Sequence, residues 1–182
     1  MNSLALPPQR LAVESDAARI SELMRISVLD VFPHFYDRQQ TASAAVHIAH
    51  LDMQLIEDGT YFVVEIDGHL AGCGGWSRRA TLYGGDETSG RNAVLLDPRI
   101  DPARVRAMYT SPAFARRGVG RRILELCEAD ARAEGFSGLE LMATLSGRPL
   151  YESYGFVAIE DVLDDRGGVA VPLVRMGRAI GR

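Results

Sequence analysis

The chain has 182 residues, of which 47% are hydrophobic and 24% are charged, a composition typical of a globular protein with a substantial core rather than of a disordered chain. Its formal net charge of −4 gives no overall electrostatic reason to bind nucleic acid or an anionic membrane, so neither is expected as a partner. Two cysteines without a Cys-x-x-Cys pair exclude a disulfide scaffold and a cysteine-based zinc site. We expect a single domain over residues 1–182, and a cytoplasmic location because no signal peptide or long apolar stretch is recognisable.

The N-terminal part is predicted to be mainly helical. A short β-prone piece at residues 10–13 leads into an amphipathic helix over residues 16–29, whose apolar side chains recur at helical spacing. A second helix is expected from residue 37 to residue 56, where Asp58-Gly59 ends it.

A hairpin is predicted next. Asp67-Gly68 separates two β-prone segments, residues 61–66 and 69–76, and Asp-Gly is one of the stronger signals for a two-residue turn. Gly72, Gly74 and Gly75 would weaken an ordinary strand, so they predict a bulge or a place where another group packs against the backbone. Residues 77–103 follow as a loop without regular period, and loops of this length are usually functional or mobile.

The C-terminal half alternates strands and helices. The predicted elements are a strand at 104–110, a strong helix at 118–134 ended by Gly135, a strand at 138–144, a short helix at 147–153, and a strand pair at 156–159 and 169–176 joined by the polar DVLDDRGG segment. The order β-αα-ββ-β-α-β-α-ββ predicts a mixed α/β chain.

The segment most informative about chemistry lies at residues 109–121, YTSPAFARRGVGR, between a strand and the strong helix. Gly118 and Gly120 allow the backbone to approach a ligand, and the first amides of a helix have no partner within it. The helix dipole and the nearby arginines, Arg116, Arg117, Arg121 and Arg122, favour an anion, so a pyrophosphate is the expected ligand. A tight turn with solvated arginines is the alternative.

Two other phosphate-binding motifs fail on residue identity. A P-loop needs Lys and Ser or Thr after its last glycine, but Gly120 is followed by two arginines. A dinucleotide-binding fingerprint needs a third glycine where this chain has Ile123.

A second motif, LYESYGF at residues 150–156, narrows the interpretation. Together with ARRGVG at 115–120 it resembles the GCN5-related N-acetyltransferase (GNAT) family, whose signatures are Arg/Gln-x-x-Gly-x-Gly/Ala and Phe/Leu-Tyr-x-x-x-Gly-Phe. The resemblance implies an α/β fold with a mixed, mostly antiparallel twisted sheet and helices on both faces. It also implies acetyl-CoA as cosubstrate and no metal.

The resemblance assigns roles to individual residues. The backbone of Met108, Tyr109 and Thr110 is expected to bind the pantetheine arm, and Tyr151 to protonate the departing thiolate, with core packing as its alternative role. Ser146 is a candidate both for binding the pantetheine and for capping the short helix, with capping favoured. The loop residues expected to hold the pyrophosphate are Arg116, Arg117, Gly118, Val119, Gly120 and Arg121.

The sequence also departs from the family pattern. The first loop position is Ala115, so one side-chain contact is missing, although the backbone amides remain. The central strand carries Arg104 and Arg106 where many members carry a Glu that acts as general base. The base is therefore unassigned, and the candidates considered are Glu65, Asp97 and Asp101.

The acceptor is expected to be a small-molecule amine or a protein amine. Trp76 and Tyr83 are candidates for lining its pocket, with core packing as the alternative, and the family's acceptor sites direct attention to Phe32, His34, Phe35 and Tyr36. His47 and His50 have a spacing compatible with metal binding, but no third ligand lies nearby in sequence. The resemblance leaves room for a homodimer. The alternative function is a catalytically silent acyl-CoA-binding or interaction module.

Overall fold

The computed structural model describes residues 8–85 and 90–181. Within these ranges the chain forms seven β-strands: β1 (Gln9–Leu11), β2 (Tyr61–Ile66), β3 (His69–Ser77), β4 (Ala103–Thr110), β5 (Gly138–Thr144), β6 (Val157–Asp164) and β7 (Val171–Ala179). The same ranges contain five α-helices: α1 (Ala17–Val31), α2 (Arg38–His47), α3 (Met53–Glu57), α4 (Val119–Ala133) and α5 (Arg148–Tyr154).

All seven strands form one sheet in the order β1-β2-β3-β4-β5-β7-β6. Every neighbouring pair is antiparallel except β4 and β5, which run parallel. Their pairing is confined to Ala103 opposite Leu139 and Arg104 opposite Glu140. The remaining residues of these two central strands are not paired with each other, and the sheet opens there.

Helices cover both faces of the sheet. On one face, α4 buries Ile123, Leu124 and Cys127 against strand residues such as Val105 and Leu141. On the other face, α1, α2 and α3 form two further clusters; their buried members include Ile20, Met24, Val28, Phe32, Ala44 and Leu55. The predicted α/β class, with a mostly antiparallel sheet between two helical layers, is confirmed.

The prediction of one continuous helix over residues 37–56 is wrong. The chain leaves the helical conformation after His47 and starts α3 only at Met53. Asp52 explains the break, because its carboxylate accepts a hydrogen bond from the Gln54 amide (3.1 Å) and forms an ion pair with Arg106 (2.9 Å). A partner 54 residues away in sequence thus overrides the local helical pattern.

The final strand pair is longer than predicted. β6 extends to Asp164 and includes part of the segment expected to be a loop, because its backbone pairs with β7 from Val157 opposite Gly177 to Asp164 opposite Val171. The connection is limited to residues 165–170, so the register with β7 outweighs the polar composition of this segment.

The hairpin and its three glycines are confirmed. Asp67 and Gly68 adopt φ values of 51° and 76°, as a two-residue turn of this kind requires. A side chain at Gly72 would collide with Val119, and a Cβ at Gly74 would lie 2.7 Å from Met108 Cγ. The glycines therefore allow β3 to pack closely against α4 and β4.

A bulge interrupts β4 beside these glycines. The register between β3 and β4 shifts around Gly74, and Ala107 adopts a φ of 50°, which is uncommon for a residue with a side chain. The Tyr61 hydroxyl donates a hydrogen bond to the Ala107 carbonyl at 2.7 Å. This bond helps to hold the bulge where β4 turns away from β5.

Candidate active site

A cavity of about 700 Å³ lies where β4 and β5 separate. One wall, which we call the α4 side, is formed by residues packed on the face that carries α4, among them Val119, Gly120, Leu141, Leu150 and Tyr151. The opposite wall, which we call the α1 side, comes from the other face and includes Phe32, Ile48, Tyr83, Tyr109 and Met142. The cavity therefore reaches both faces of the sheet through the gap between its central strands.

The second half of β4 lies along this cavity. Met108, Tyr109 and Thr110, predicted to bind pantetheine, all contribute to its lining. On one edge β4 pairs with β3, but no β5 residue pairs with it beyond Arg104 within the described chain. Backbone N–H and C=O groups on that open edge require a partner, and an extended polar chain lying along the strand would supply one.

The first turn of α4 forms the end of the α4 side. Gly118 precedes the helix with a φ of 79°, which other residues rarely adopt, and a Cβ at Gly120 would lie 2.7 Å from Leu150 Cδ2. Gly118 has no side chain to cap the helix, so the first amides of a 15-residue helix remain available to an anion. Gly118, Val119 and Gly120 all line the cavity.

The arginines predicted around this turn separate into two groups. Arg116 and Arg121 line the cavity, next to the helix start. Arg117 packs its guanidinium over the Phe114 ring at 5.4 Å, and Arg122 donates a hydrogen bond to Gln9 at 3.0 Å. Arg122 also pairs with Glu125 (3.2 Å), and neither Arg117 nor Arg122 is among the residues that line the cavity.

Tyr151 lies on α5 and lines the cavity while only 8% exposed. A Cβ at Gly147 would lie 2.9 Å from its Cε2 atom, and Phe156 packs edge-on against its ring with centroids 5.9 Å apart. Burial raises the pKa of Tyr151 well above its usual value, so the phenol keeps its proton at neutral pH. Packing thus fixes the ring of a protonated tyrosine at the cavity wall, as the packing interpretation expects, and the catalytic role of Tyr151 stays a prediction.

Ser146 lines the cavity but does not cap α5. The cap position is Gly147, and its amide donates to the Thr144 hydroxyl (3.2 Å) rather than to Ser146. The favoured expectation that Ser146 caps this helix is therefore wrong. The Ser146 hydroxyl lies 3.0 Å from the Thr144 hydroxyl, which gives the cavity a small polar patch.

The three carboxylates considered as general bases all lie away from the cavity. Glu65 forms an ion pair with Arg19 (3.1 Å), Asp97 pairs with Arg99 (2.6 Å), and Asp101 accepts a hydrogen bond from the Asp97 amide (2.8 Å). Among the described residues, no Asp or Glu lines the cavity. His50 does line the cavity, which was not predicted because residues 37–56 were expected to form one helix.

The aromatic residues predicted for the acceptor pocket also separate. Phe32 and Tyr83 line the α1 side, whereas Trp76 is fully buried and donates from Nε1 to Asp130 at 2.8 Å. The Tyr36 hydroxyl donates to the Pro172 carbonyl (3.0 Å) and accepts from the Leu145 amide (2.7 Å). Tyr36 is thus an anchor between the α1 layer and the end of β5, while His34 and Phe35 are exposed.

A buried ion pair holds the α1 side together. Arg106 lines the cavity and bonds Asp52 (2.9 Å) and the Gly84 carbonyl (2.5 Å), and Arg91 reaches the same Asp52 carboxylate at 2.8 Å. Burial lowers the pKa of Arg106, and Asp52 opposes that effect. Sequence reasoning noted Arg106 only as a departure from a family pattern; its partner on the α2–α3 connection was not foreseen.

Within residues 8–85 and 90–181, no group of three or more His, Cys, Asp and Glu side chains is arranged to hold a metal ion. In the same part of the chain, no helix combines the length and apolarity needed to cross a bilayer.

Comparisons with known proteins agree with this architecture. A family model described as an acetyltransferase (GNAT) domain matches residues 57–158, more than half of the chain. No curated protein sequence matches the chain.

Similar solved structures extend over nearly the whole chain. One is a GCN5-related N-acetyltransferase from Rhodopseudomonas palustris, with a TM-score of 0.71, 18% identity, and coverage of 98% of this chain and 99% of that one. PaiA N-acetyltransferase from Thermoplasma acidophilum, in complex with coenzyme A, has a TM-score of 0.62 and 14% identity, and the match covers 94% of this chain and 98% of that one. The structure of yncA from Salmonella typhimurium, with its cofactor acetyl-CoA, has a TM-score of 0.62 and 19% identity, and the match covers 97% of this chain and 95% of that one. At these identities the likeness shows a shared fold.

Proposed function

Because this chain belongs to the GNAT acetyltransferase family, we propose that it is an N-acetyltransferase that moves the acetyl group of acetyl-CoA to a primary amine. The observation that supports this most is the cavity between β4 and β5, which joins the uncapped start of α4 on one face to a pocket lined by Phe32, Tyr83 and His50 on the other. A cosubstrate and an acceptor entering from opposite faces would meet beside Tyr151. The reaction is direct attack by the amine, with both molecules bound together.

The residues on the α4 side fit coenzyme A. The first amides of α4, with Arg116 and Arg121, suit a diphosphate, and a side chain at Gly120 would narrow the turn against Leu150. The open edge of β4 at Met108, Tyr109 and Thr110 suits the amides of a pantetheine arm. When bound, acetyl-CoA supplies a thioester carbonyl that a neutral amine can attack.

Tyr151 is the proposed general acid. Its hydroxyl is protonated at neutral pH and would donate to the sulfur as the C–S bond breaks. A raised phenol pKa does not prevent this transfer, because the same environment also raises the pKa of a thiol. Burial raises the pKa of Cys127, the buried thiol that interacts electrostatically with Tyr151.

A second function is favoured by one observation. Because no described carboxylate lines the cavity, a protein that binds acyl-CoA without transferring the acyl group is the alternative. The two functions differ in turnover, since both predict binding of coenzyme A and only the first predicts release of free thiol.

The test is an assay of thiol release with acetyl-CoA and a panel of primary amines. We expect turnover in the parent and a loss of about 100-fold in kcat for Tyr151→Phe, the scale of general acid catalysis, with little change in CoA affinity. Tyr154→Phe is the matched control, because Tyr154 lies on the same helix but bonds Glu128 (2.9 Å) outside the cavity lining. CoA binding without turnover on any amine would favour the silent module.

The partners and location are proposed as well. The acceptor is a small-molecule or protein amine, and a homodimer and the lack of nucleic-acid and membrane partners stay predictions. The proposed location is the cytoplasm, supported by Cys73 and Cys127, which are both buried and unpaired. Fractionation of cells expressing the chain, with a thiol-alkylation readout, tests this location.

A further inference from the structure

We infer that His50 is the proton acceptor that converts the acceptor's ammonium group into the attacking amine. This inference rests on the proposed function. An alkylamine is mostly protonated at neutral pH, so a base must remove a proton before the nitrogen can attack. Within the described chain, His50 is the one histidine on the cavity wall, and an imidazole nitrogen with a free lone pair can accept a proton.

The hydrogen bond made by His50 leaves the required lone pair free. Its Nε2 atom lies 2.5 Å from the Val46 carbonyl oxygen. A carbonyl only accepts hydrogen bonds, so Nε2 carries the hydrogen and the neutral imidazole has its lone pair on Nδ1. The Val46 carbonyl thus fixes the tautomer and restrains the ring.

The position of His50 follows from the break between α2 and α3. Helix α2 ends at His47. Beyond it, Gly85 of the loop after β3 packs against the backbone and Cβ of His50. The contact is so close that a Cβ at Gly85 would lie 2.7 Å from the Leu51 carbonyl oxygen. This contact places His50 on the same wall as Ile48 and Tyr83. A continuous helix through residue 56 would not produce this turn.

The charged groups around this wall are already paired with one another. Asp52, two residues after His50, is held by Arg106 (2.9 Å) and Arg91 (2.8 Å). Two tyrosines, Tyr83 and Tyr109, also lie on this wall; burial raises the pKa of both, and the Arg166 guanidinium covers the Tyr83 ring at 4.5 Å. These groups leave the imidazole as the site to which a proton can move.

Proton transfers at His50 and Tyr151 accompany the acetyl transfer. The ammonium gives one N–H proton to Nδ1 of His50 and keeps the electron pair, which forms the new C–N bond to the acetyl carbon. Tyr151 gives its hydroxyl proton to the sulfur, which leaves with the electrons of the C–S bond, and takes back the proton that nitrogen loses on becoming an amide. His50 releases its proton to water, so one proton is released for each acetyl group transferred.

Two acceptors that differ in basicity test this role. An alkylamine such as benzylamine arrives protonated, whereas an aromatic amine such as 4-methylaniline is already neutral at pH 7 and does not need His50. We expect His50→Gln to lower kcat/KM by about 100-fold with the alkylamine, the usual scale of base catalysis, and to leave the aromatic amine unchanged. In His50→Gln, the rate with the alkylamine should rise with pH between 6 and 9, which should restore part of the lost kcat/KM.

His47→Gln is the matched control. His47 lies three residues earlier on α2, and its Nε2 atom is near Gly167 rather than on the cavity wall, so this variant should behave like the parent. Equal losses on both amines in His50→Gln would show a structural role and overturn the inference. The same conclusion would follow if Asp86→Asn/Glu87→Gln, which changes two carboxylates outside the described residues, selectively lost the alkylamine reaction while His50→Gln did not.

A binding readout separates this inference from the proposed function. In NMR spectra recorded without acetyl-CoA, adding benzylamine should shift the imidazole signals of His50 and not those of His47. Shifts confined to other histidines would contradict the inference even if the protein is an acetyltransferase. If the parent acetylates no amine while binding CoA, the proposed function fails first, whatever the imidazole signals do.

Discussion

The two sides of the cavity differ in the parts of the chain and the kinds of contact that form them. On the α4 side, most of the wall comes from two stretches of chain, residues 112–121 and 144–151, and the start of α4 contributes backbone amides beside the side chains of Arg116 and Arg121. On the α1 side, α1, the α2–α3 connection, the loop after β3, and β4 each contribute side chains, and the buried Arg106–Asp52 pair joins them. The α4 side therefore depends on backbone conformation, whereas the α1 side depends on side-chain contacts between distant segments.

The largest effect is expected from removing the ion pair on the α1 side. Asp52→Ala leaves the guanidinium of Arg106 buried without its carboxylate, and breaking such a pair costs about 3–5 kcal/mol of unfolding free energy. Urea unfolding measures the difference. Asp97→Ala removes an Asp–Arg pair in which Arg99 is 84% exposed, so it should change the unfolding free energy very little. Similar costs for the two variants would mean that the α1 side is not held in this way.

An intermediate effect is expected from the backbone of the α4 side. Gly118→Val forces a β-branched residue to adopt a φ of 79°, a strain of about 1–3 kcal/mol that the turn would relieve by changing shape. CoA affinity, measured by calorimetry, should fall roughly 5- to 150-fold. Gly59→Val carries a similar strain at a φ of 68° outside the cavity, and it should leave CoA affinity unchanged. Unchanged affinity in Gly118→Val would count against the backbone site.

The smallest effect concerns the start of α1, which supports the α1 side. Hydrogen bonds from Arg10 hold the pKa of Asp16 down at about 2, so this carboxylate stabilises the folded state above the unfolded pKa of about 4, and the contribution disappears as pH falls through about 2. Because Arg10 is 43% exposed, we expect a contribution of about 1–2 kcal/mol. Unfolding of the parent and of Asp16→Asn should therefore converge between pH 4 and pH 2, and parallel curves would contradict this.

The features predicted for the α4 side have local signals in the sequence. Gly118 and Gly120 sit between a strand and a helix in the sequence, and the same order positions the turn at the cavity. The side-chain positions of Arg117 and Arg122 could not be predicted from the sequence, because they depend on contacts with Phe114 and with Gln9, the latter 113 residues from Arg122.

The α1 side was less accessible to sequence reasoning for the same physical reason. The pattern over residues 37–56 favoured one helix, whereas the contacts of Asp52 with Arg106 and with the Gln54 amide stabilise a break before residue 53. His50 enters the cavity as a consequence of that break. A wall assembled by long-range side-chain contacts leaves no local pattern from which to predict it.

A crystal structure of the complex with CoA tests the central claim most directly. We predict diphosphate oxygens about 2.7–3.2 Å from backbone nitrogens of residues 118–121, with the pantetheine arm along the open edge of β4 and its sulfur beside Tyr151. Coenzyme A bound elsewhere on the molecule, or its diphosphate contacting only side chains away from the start of α4, would contradict the account.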